Sequence, residues 1–474
     1  MRAETLRADL RIAARRLAQR PGFTAIAVLT LALGLGANIA IFTLVQATML
    51  QRLPVAKPDE LVRLGDNDNC CVNSGLQTSY SLFSHSAYLH LRDSVSELVS
   101  LAAFQASGQP IGVRRLGTAV TESMPGEFVS ANYFTTFGVR PAAGRLLDPS
   151  DGRPGAEPVF VMSHRAWLSR FSGDASLVGA SFLVLGKPMT LVGVAAEDFF
   201  GDTLRADPPA AWLPVGQMPY LRGGASLLDR ADQDWLYLIG RMAPGATSRQ
   251  IEARATAELQ TWLWGQSFLN ADNRKQIDRQ RISVVTASGG VTALRYTYER
   301  PLALLFATSL LVLLIAAANL ANLLLARTDP GQIAIQAALG ASPGRLVQQS
   351  LCEGTLIATA GAAIGILVAS FATRAAVALA FAGAQELPID LHPDAGVLAF
   401  ALVLAIATGA LFSAAPAWAM ARTNPSGALA GAGRIAEQRS FLPRRSLVVT
   451  QVALSLVALA CAGLLTESLH RLEE

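Results

Sequence analysis

The stretch that decides the fold runs from Pro301 to Val347 and reads PLALLFATSLLVLLIAAANLANLLLARTDPGQIAIQAALGASPGRLV. Leu302 to Ala326 carries no charge, and about 20 apolar residues are enough for an α-helix to cross the hydrocarbon core of a bilayer. The segment therefore reads as a membrane span, ended by Arg327. Gln332 to Leu339 then reads as a short helix between two sets of breakers, Asp329-Pro330-Gly331 and Gly340-Ala341-Ser342-Pro343-Gly344. Another apolar run, Leu351 to Phe371, follows at once. A span, a short helix at the membrane surface and a returning span together form a lever that something outside the bilayer could push.

The composition agrees with a membrane class. Of 474 residues 51% are hydrophobic and only 16% charged, and the mean hydropathy is +0.36, more apolar than an ordinary soluble chain. The net charge of +4 and pI near 9.0 raise the question of a nucleic-acid partner. The arginines, however, concentrate beside apolar runs, where they set topology, so no nucleic acid is expected. Four cysteines exclude a disulfide-dense scaffold. The adjacent pair Cys70-Cys71 bridges only with strain and reads as free or intermolecular thiols.

Residues 1–21 hold arginines at 2, 7, 11, 15, 16 and 20, with Leu6, Leu10, Ile12, Ala13 and Leu17 at roughly helical spacing. They form either a basic amphipathic helix on an anionic leaflet or a flank that only fixes orientation. Residues 22–46 are a first span, too long for the apolar part of a signal peptide. Residues 47–300 change to short β-rich runs broken by Gly, Pro, Asp and Asn, the mark of a large α+β domain outside the bilayer. Strands are predicted at Pro158–Met162, Phe182–Leu185 and Met189–Val194, the last two joined by a turn at Gly186-Lys187-Pro188. Helices are predicted at Ser79–Asp93, His164–Phe171 and Thr247–Trp264, the last opened by a Thr247/Gln250 capping box. Then come span two (301–326), the lever (327–347), span three (348–372), span four (395–421), a basic loop (422–445) and a fifth apolar run (446–466). The fold class is thus an α-helical bundle of four spans plus a fifth run, with the α+β domain inserted between spans one and two. Arginine placement and span parity put the N-terminus, lever and 422–445 loop in the cytoplasm and the large domain outside.

Catalytic signatures are not found. The nearest approach to a phosphate-cradling loop, Gly179 to Pro188, has the wrong spacing and proline in place of the hydroxyl residue, and neither His-Glu-x-x-His nor Gly-x-Ser-x-Gly occurs. His85 and His90 are five apart, on different helix faces. Asp198, Asp202 and Asp207 lack the spacing of an EF-hand and read as a solvated loop. No enzyme, cofactor or metal is expected. More informative are Asn38, Asn319 and Asn322 inside the spans, which must hydrogen-bond between helices, as interhelical glue or along a translocation path. Gly361 and Gly365 form Gly-x-x-x-Gly, a close-packing face for another span or another subunit, and Gly34 and Gly36 serve similar packing.

Several words of the sequence together resemble the FtsX-like permease family of MacB type. They are Arg20-Pro21-Gly22-Phe23-Thr24, Leu31 to Asn38 (LALGLGAN), Ala318 to Arg327 (ANLANLLLAR), Ala338 to Ser342 (ALGAS) and, in the external segment, Ser130 to Phe134 (SANYF) with Gly138-Val139-Arg140-Pro141. Arg444 to Ser455 resembles the opening span of the second copy in duplicated orphan permeases, whose remainder is not in this sequence. The resemblance implies a permease subunit of an ABC-type export or mechanotransmission system in the bacterial inner membrane. A separate cytoplasmic ATPase would push the lever through Gln332, Ile333, Gln336, Ala337, Gly340 and Arg345, and the external domain would meet substrate or a periplasmic protein. A dimer, or pairing with a second repeat, is implied as well. Relatives usually carry Glu and Arg where this lever has Gln332 and Gln336, which weakens charge pairing with an ATPase. The alternative is a non-transporting scaffold that relays a cytoplasmic event to a periplasmic partner.

Overall fold

The computed structural model describes residues 2–46, 52–66, 72–77, 79–203, 205, 207–291, 293–327, 342–380 and 393–421, with scattered helical positions between 449 and 463. The chain divides into two compact units, one of Met1–Ala47 with most of the residues after Tyr298, the other of Thr48–Thr297.

The elements of the helical unit are α1 (Arg2–Ala18) and α2 (Pro21–Val45) at the start of the chain. Those of the second unit follow in order: β1 (Leu61–Leu64), β2 (Asn73–Ser74), α3 (His85–Ser94), β3 (Leu98–Gln105), β4 (Gln109–Arg115), β5 (Glu122–Val129), α4 (Tyr133–Phe137), β6 (Pro141–Gly144), β7 (Val159–Met162), α5 (His164–Phe171), β8 (Ser181–Val184), β9 (Lys187–Ala195), β10 (Ala211–Pro214), α6 (Met218–Arg222), β11 (Gln233–Asp234), β12 (Leu236–Met242), α7 (Ser248–Trp264), α8 (Ala271–Arg274) and β13 (Val284–Thr286). The chain returns to the helical unit through α9 (Ala293–Arg327), α10 (Pro343–Ala380) and α11 (Ala395–Ala421).

Four helices of the first unit are long and apolar enough to cross a membrane, at Pro21–Val45, Leu302–Leu325, Val347–Ala376 and Ala395–Ala414. Pro21 sits at the N-terminus of α2, where its missing N–H breaks no intrahelical bond. α10 is longer than its apolar run: it opens at Pro343, where a missing N–H breaks no intrahelical bond, and Gly344, expected as a breaker, and the Gln348-Gln349-Ser350 stretch are helical. Most of the expected lever, together with most of the fifth run, Cys70 and Cys71, lies outside the described residues.

In the α+β unit one sheet runs β10-β7-β9-β8-β4-β5-β3-β12-β1-β13, with β6 on β9. β10 also pairs in parallel with β5, so β4, β5, β7, β8, β9 and β10 close into a ring. One apolar core, with Phe128, Phe160, Phe182 and Leu213, lies on one face of these strands, beneath α3 and α7. A second, aromatic core, with Tyr133, Phe134, Phe137, Phe199 and Trp212, lies on the other. The alternation along β5 explains the split: Phe128 belongs to the first core and Val129 to the second.

The predicted helix at His164–Phe171 forms as α5, with Ser163 as its cap, and α7 opens with the expected reciprocal Thr247/Gln250 box. Two expectations need correction. Helix α3 starts at His85, because the Ser84 hydroxyl accepts the Ala87 N–H and so marks the first turn; the segment from Ser79 to Phe83 is not helical. The hairpin between β8 and β9 turns at Leu185-Gly186, both with positive φ (50° and 79°), and Lys187 is already paired with Val184. Two left-handed residues give a turn whose twist matches the strands, which Gly186-Lys187-Pro188 would not.

Both ends of the chain segment forming this unit are tied into it. The Leu53 N–H donates to Ser288 O at 2.7 Å. Arg241 donates to Ala56 O (2.7 Å), Thr136 O (3.1 Å) and Glu60 (3.0 Å), clasping the entering segment to α4. The Val291 N–H donates to Asp202 O at 2.7 Å. Gly290 there has φ +77°, and any Cβ would sit 2.0 Å from Asp202 O.

Candidate functional site: the helix seam and its polar ends

α2 and α10 approach each other through glycine. A Cβ on Gly36 would lie 3.0 Å from Gly365 O and 3.2 Å from the Val368 side chain; one on Gly361 would lie 2.9 Å from Leu31 Cβ; one on Gly365 would lie 3.2 Å from Ala32 O and Gly36 N. Gly361 and Gly365 therefore face α2, not another subunit. The structure thus chooses between the two partners that the Gly-x-x-x-Gly spacing allowed. A similar contact joins α10 to α11, where Gly354 faces Gly409 O and the Ser413 side chain. Phe42 of α2 stacks on Phe400 of α11 with ring centroids 4.0 Å apart. Close backbone approach matters here, because lipid tails are as apolar as leucine and helices associate by packing and hydrogen bonds.

Asn38 is fully buried in this bundle. Its Nδ2 donates to Gly34 O on its own helix (2.9 Å) and to Ser309 O on α9 (3.1 Å), so it ties spans one and two together. Its Oδ1 and the Ser309 hydroxyl have no partner among the described residues. Asn319 and Asn322 are half-buried on α9, and Asn322 Oδ1 likewise has none. The three asparagines do not converge in one described site. At one end of the bundle Gln46, which follows α2, hydrogen-bonds Asp394, whose other oxygen accepts the Val397 N–H (2.8 Å) and caps α11.

Of the residues expected to meet an ATPase, Gln332, Ile333, Gln336, Ala337 and Gly340 lie outside the described residues. Arg345 stands exposed in the first turn of α10, with Nη2 3.6 Å from Asp9 Oδ1 on α1. Asp9 is only 2% exposed, and its second oxygen has no partner among the described residues. The sequence reading missed Asp9. Its signal was an acid on the stripe of the basic helix that also holds Ala13, which is buried too.

In the α+β unit the histidines are apart in role. His90 Nε2 is 3.0 Å from Glu258. His85 is pushed below its ordinary value by burial and, secondarily, by Arg92. Among the described residues no group of three His, Cys, Asp or Glu side chains could hold a metal ion. The expectation of a solvated acidic loop holds for Asp198 and Asp207, which are exposed, and fails for Asp202, which is buried. Asp202 is held by Tyr133 Oη (2.7 Å), Thr203 Oγ1 (2.6 Å) and Arg205 (3.2 Å), and these bonds make its burial tolerable. Asp234 is a second buried acid. Gln77 Nε2 donates to it at 2.9 Å, yet burial pushes its carboxyl up to about 7.

Residues 24–258 match the MacB-like periplasmic core domain, and residues 304–425 match the FtsX-like permease C-terminal domain. The chain belongs to the FtsX/MacB-type permeases. As a member of this group it is a membrane protein with four candidate spans and a MacB-like periplasmic core domain between the first and the second. Among curated relatives it is 26% identical to the macrolide export ATP-binding/permease protein MacB of Neisseria gonorrhoeae over 340 residues, 71% of this chain and 47% of that one. It is 29% identical to the protein of the same name from Salmonella typhi over 307 residues, 64% and 42% of the two chains. The FtsX/MacB-type chain thus spans about half the length of these relatives. Among solved structures it is similar to the periplasmic region of MacB from Actinobacillus actinomycetemcomitans (13% identity, TM-score 0.34, 52% of this chain and 94% of that one). A second is the extracellular domain of the ABC-type transporter YknZ from Gram-positive bacteria (13%, 0.32, 44% and 96%).

Proposed function

We propose that this chain is the permease subunit of an ABC-type export or mechanotransmission system in the bacterial inner membrane. A separate cytoplasmic ATPase would engage the 327–347 segment, and the external domain would receive the movement and act on substrate or a periplasmic protein. The observation that supports this most is the α2–α10 seam. The first turn of α10 is the last part of the lever segment, α2 leads into the external domain, and the two helices are packed backbone to backbone through Gly36 and Gly365. A push on the lever therefore reaches a helix pair too close-packed to yield locally. Asp9 beside Arg345 adds a contact from α1 to the first turn of α10, and Asn38 carries displacement to α9. A dimer, or a second repeat in its place, would complete the transporter.

The test is vectorial transport in proteoliposomes holding this protein and a supplied ATPase of the same system. ATP-dependent movement of a substrate across the vesicle membrane supports export. ATP-dependent change in the external domain without transport favours the signalling scaffold, and no ATP-dependent response of either kind contradicts both.

A further inference from the structure

Glu127 on β5 is fully buried, on the aromatic-core side of the sheet, and its register partner on β10 is Trp212. Its Oε1 lies 2.9 Å from Arg205 Nη2, and the same nitrogen lies 3.2 Å from Asp202 Oδ1. One guanidinium thus serves two carboxyls that are both 0% exposed. Glu127 Oε2, Arg205 Nε and Trp212 Nε1 have no partner among the described residues. The backbone of the same loop does a second job: Asp202 O accepts the Val291 N–H, and Thr203 bridges Val291 in parallel. Val291 stands two residues before α9, the helix that carries the second span.

We propose that Glu127, Asp202, Arg205 and Tyr133 form a proton-gated joint that grips the segment entering the second span while one proton is held, and loosens when that proton leaves. This deepens the proposed function, resting on the reading that movement passes between the spans and the external domain.

Charge balance carries the argument. Two carboxylates and one guanidinium leave one uncompensated negative charge in an aromatic core, and an unpaired buried charge costs several kcal/mol. One proton, shared between the acids, makes the cluster neutral. The groups facing Glu127 are Asp202 and Arg205 from the 201–205 loop and Tyr133 from α4, whose hydroxyl donates to Asp202. Burial and the neighbouring Asp202 hold the Glu127 carboxyl well above the carboxylate range, against the pull of Arg205. The folded state therefore binds a proton that the unfolded chain releases at lower pH, and stability from this cluster falls as pH rises through the folded value. Loss of the proton to solvent favours local opening of the 201–205 loop, which hydrates both carboxylates and gives up the bond to Val291. A domain outside the cytoplasm would in this way couple its grip on the span to the pH of its own compartment.

The experiment is hydrogen exchange at the Val291 amide in the intact protein in nanodiscs, without any ATPase, from pH 5 to pH 9 and corrected for the intrinsic pH dependence of exchange. In the wild type, protection should fall by up to about tenfold per pH unit, the limit for one proton, from the ordinary carboxylate range up to the folded titration, and level off above it. Glu127→Gln, which mimics the protonated carboxyl, should keep protection flat. Tyr133→Phe removes a bond that stabilises the Asp202 charge and should move the midpoint to higher pH. The infrared carboxylic-acid signal that Glu127→Gln removes should, in the wild type, titrate away at the pH where this fall levels off. Flat protection in the wild type, the same slope in Glu127→Gln, or no acid signal overturns the joint. Since neither transport nor an ATPase is read, this result is independent of whether coupling itself is right.

Discussion

Replacing Gly365 by leucine probes the seam directly. A Cβ at this position meets Ala32 O and Gly36 N, each at 3.2 Å, and Gly36 Cα at 3.5 Å. The first two are backbone atoms of α2, which give way only if a helix moves. Alanine asks for a few tenths of an ångström and should cost about 1 kcal/mol, the low end for overpacking. Leucine adds three more heavy atoms beyond the Cβ, with the α2 backbone in the way. The helices must part, and Leu31, Leu35, Ile39, Ala362 and Ala369, all buried at present, lose contacts. The expected loss is about 3 kcal/mol or more, at or above the usual overpacking range. Leucine also favours membrane insertion, so a loss would report packing rather than failure to insert. The assay is denaturation of the purified protein in mild detergent, with Gly22→Leu as control, since a Cβ on Gly22 has nothing within 4 Å. Equal resistance of Gly365→Leu and Gly22→Leu would refute the seam.

Asn38→Ala removes the bond to Ser309 O and should lower stability in the same assay by about 0.6 to 2 kcal/mol, the range for interhelical hydrogen bonds in membranes; no change would show that α2 and α9 are held otherwise. Asp234 is pushed up to about 7, chiefly by burial, so the fold holds its proton where the unfolded chain does not. Its contribution is present below about pH 4 and lost as pH rises towards 7, on the order of 4 kcal/mol. Asp234→Asn should remove that part of the pH dependence in thermal melts while leaving the part due to Glu127, and an unchanged profile would count against the assignment. Thr247→Ala breaks the α7 capping box and should cost about 1 kcal/mol, lowering the melting temperature of the external domain by roughly 2–4 °C.

The spans were legible because an uncharged run of twenty or more residues has few alternatives, and α5 and α7 because their caps are written next to them. Which face of each span packs was not legible. Leu302 to Ala326 and Ala395 to Met420 are apolar all round, so helix rotation leaves no periodic trace, and the pairing of Gly361 and Gly365 with Gly36 needed coordinates. The acidic loop misled for a related reason. Asp202, Arg205 and Glu127 meet only through the β5–β10 register, with Glu127 and Arg205 78 positions apart in sequence, and nothing local distinguishes Asp202 from its exposed neighbours Asp198 and Asp207. Likewise buried Asp234 finds its hydrogen-bond partner in Gln77, 157 residues earlier. Helix α3 was overextended because the apolar spacing continues through Tyr80 and Phe83, while the Ser84 cap sets its start.

The central claim is that the 327–347 segment receives an ATPase, and the most direct measurement is co-purification from native membranes of the wild type and of Ala337→Glu. If the segment is helical, Ile333, Gln336 and Ala337 would share one stripe by their spacing, and a groove packed on that stripe would tolerate no unpaired charge, at a cost of several kcal/mol. On an exposed surface the same change costs about 0.5 kcal/mol or less. The account predicts that the wild type recovers an ATPase whose hydrolysis it stimulates, and that Ala337→Glu recovers none while its membrane insertion and external fold stay intact. Recovery with neither protein, or equal recovery with both, would contradict it.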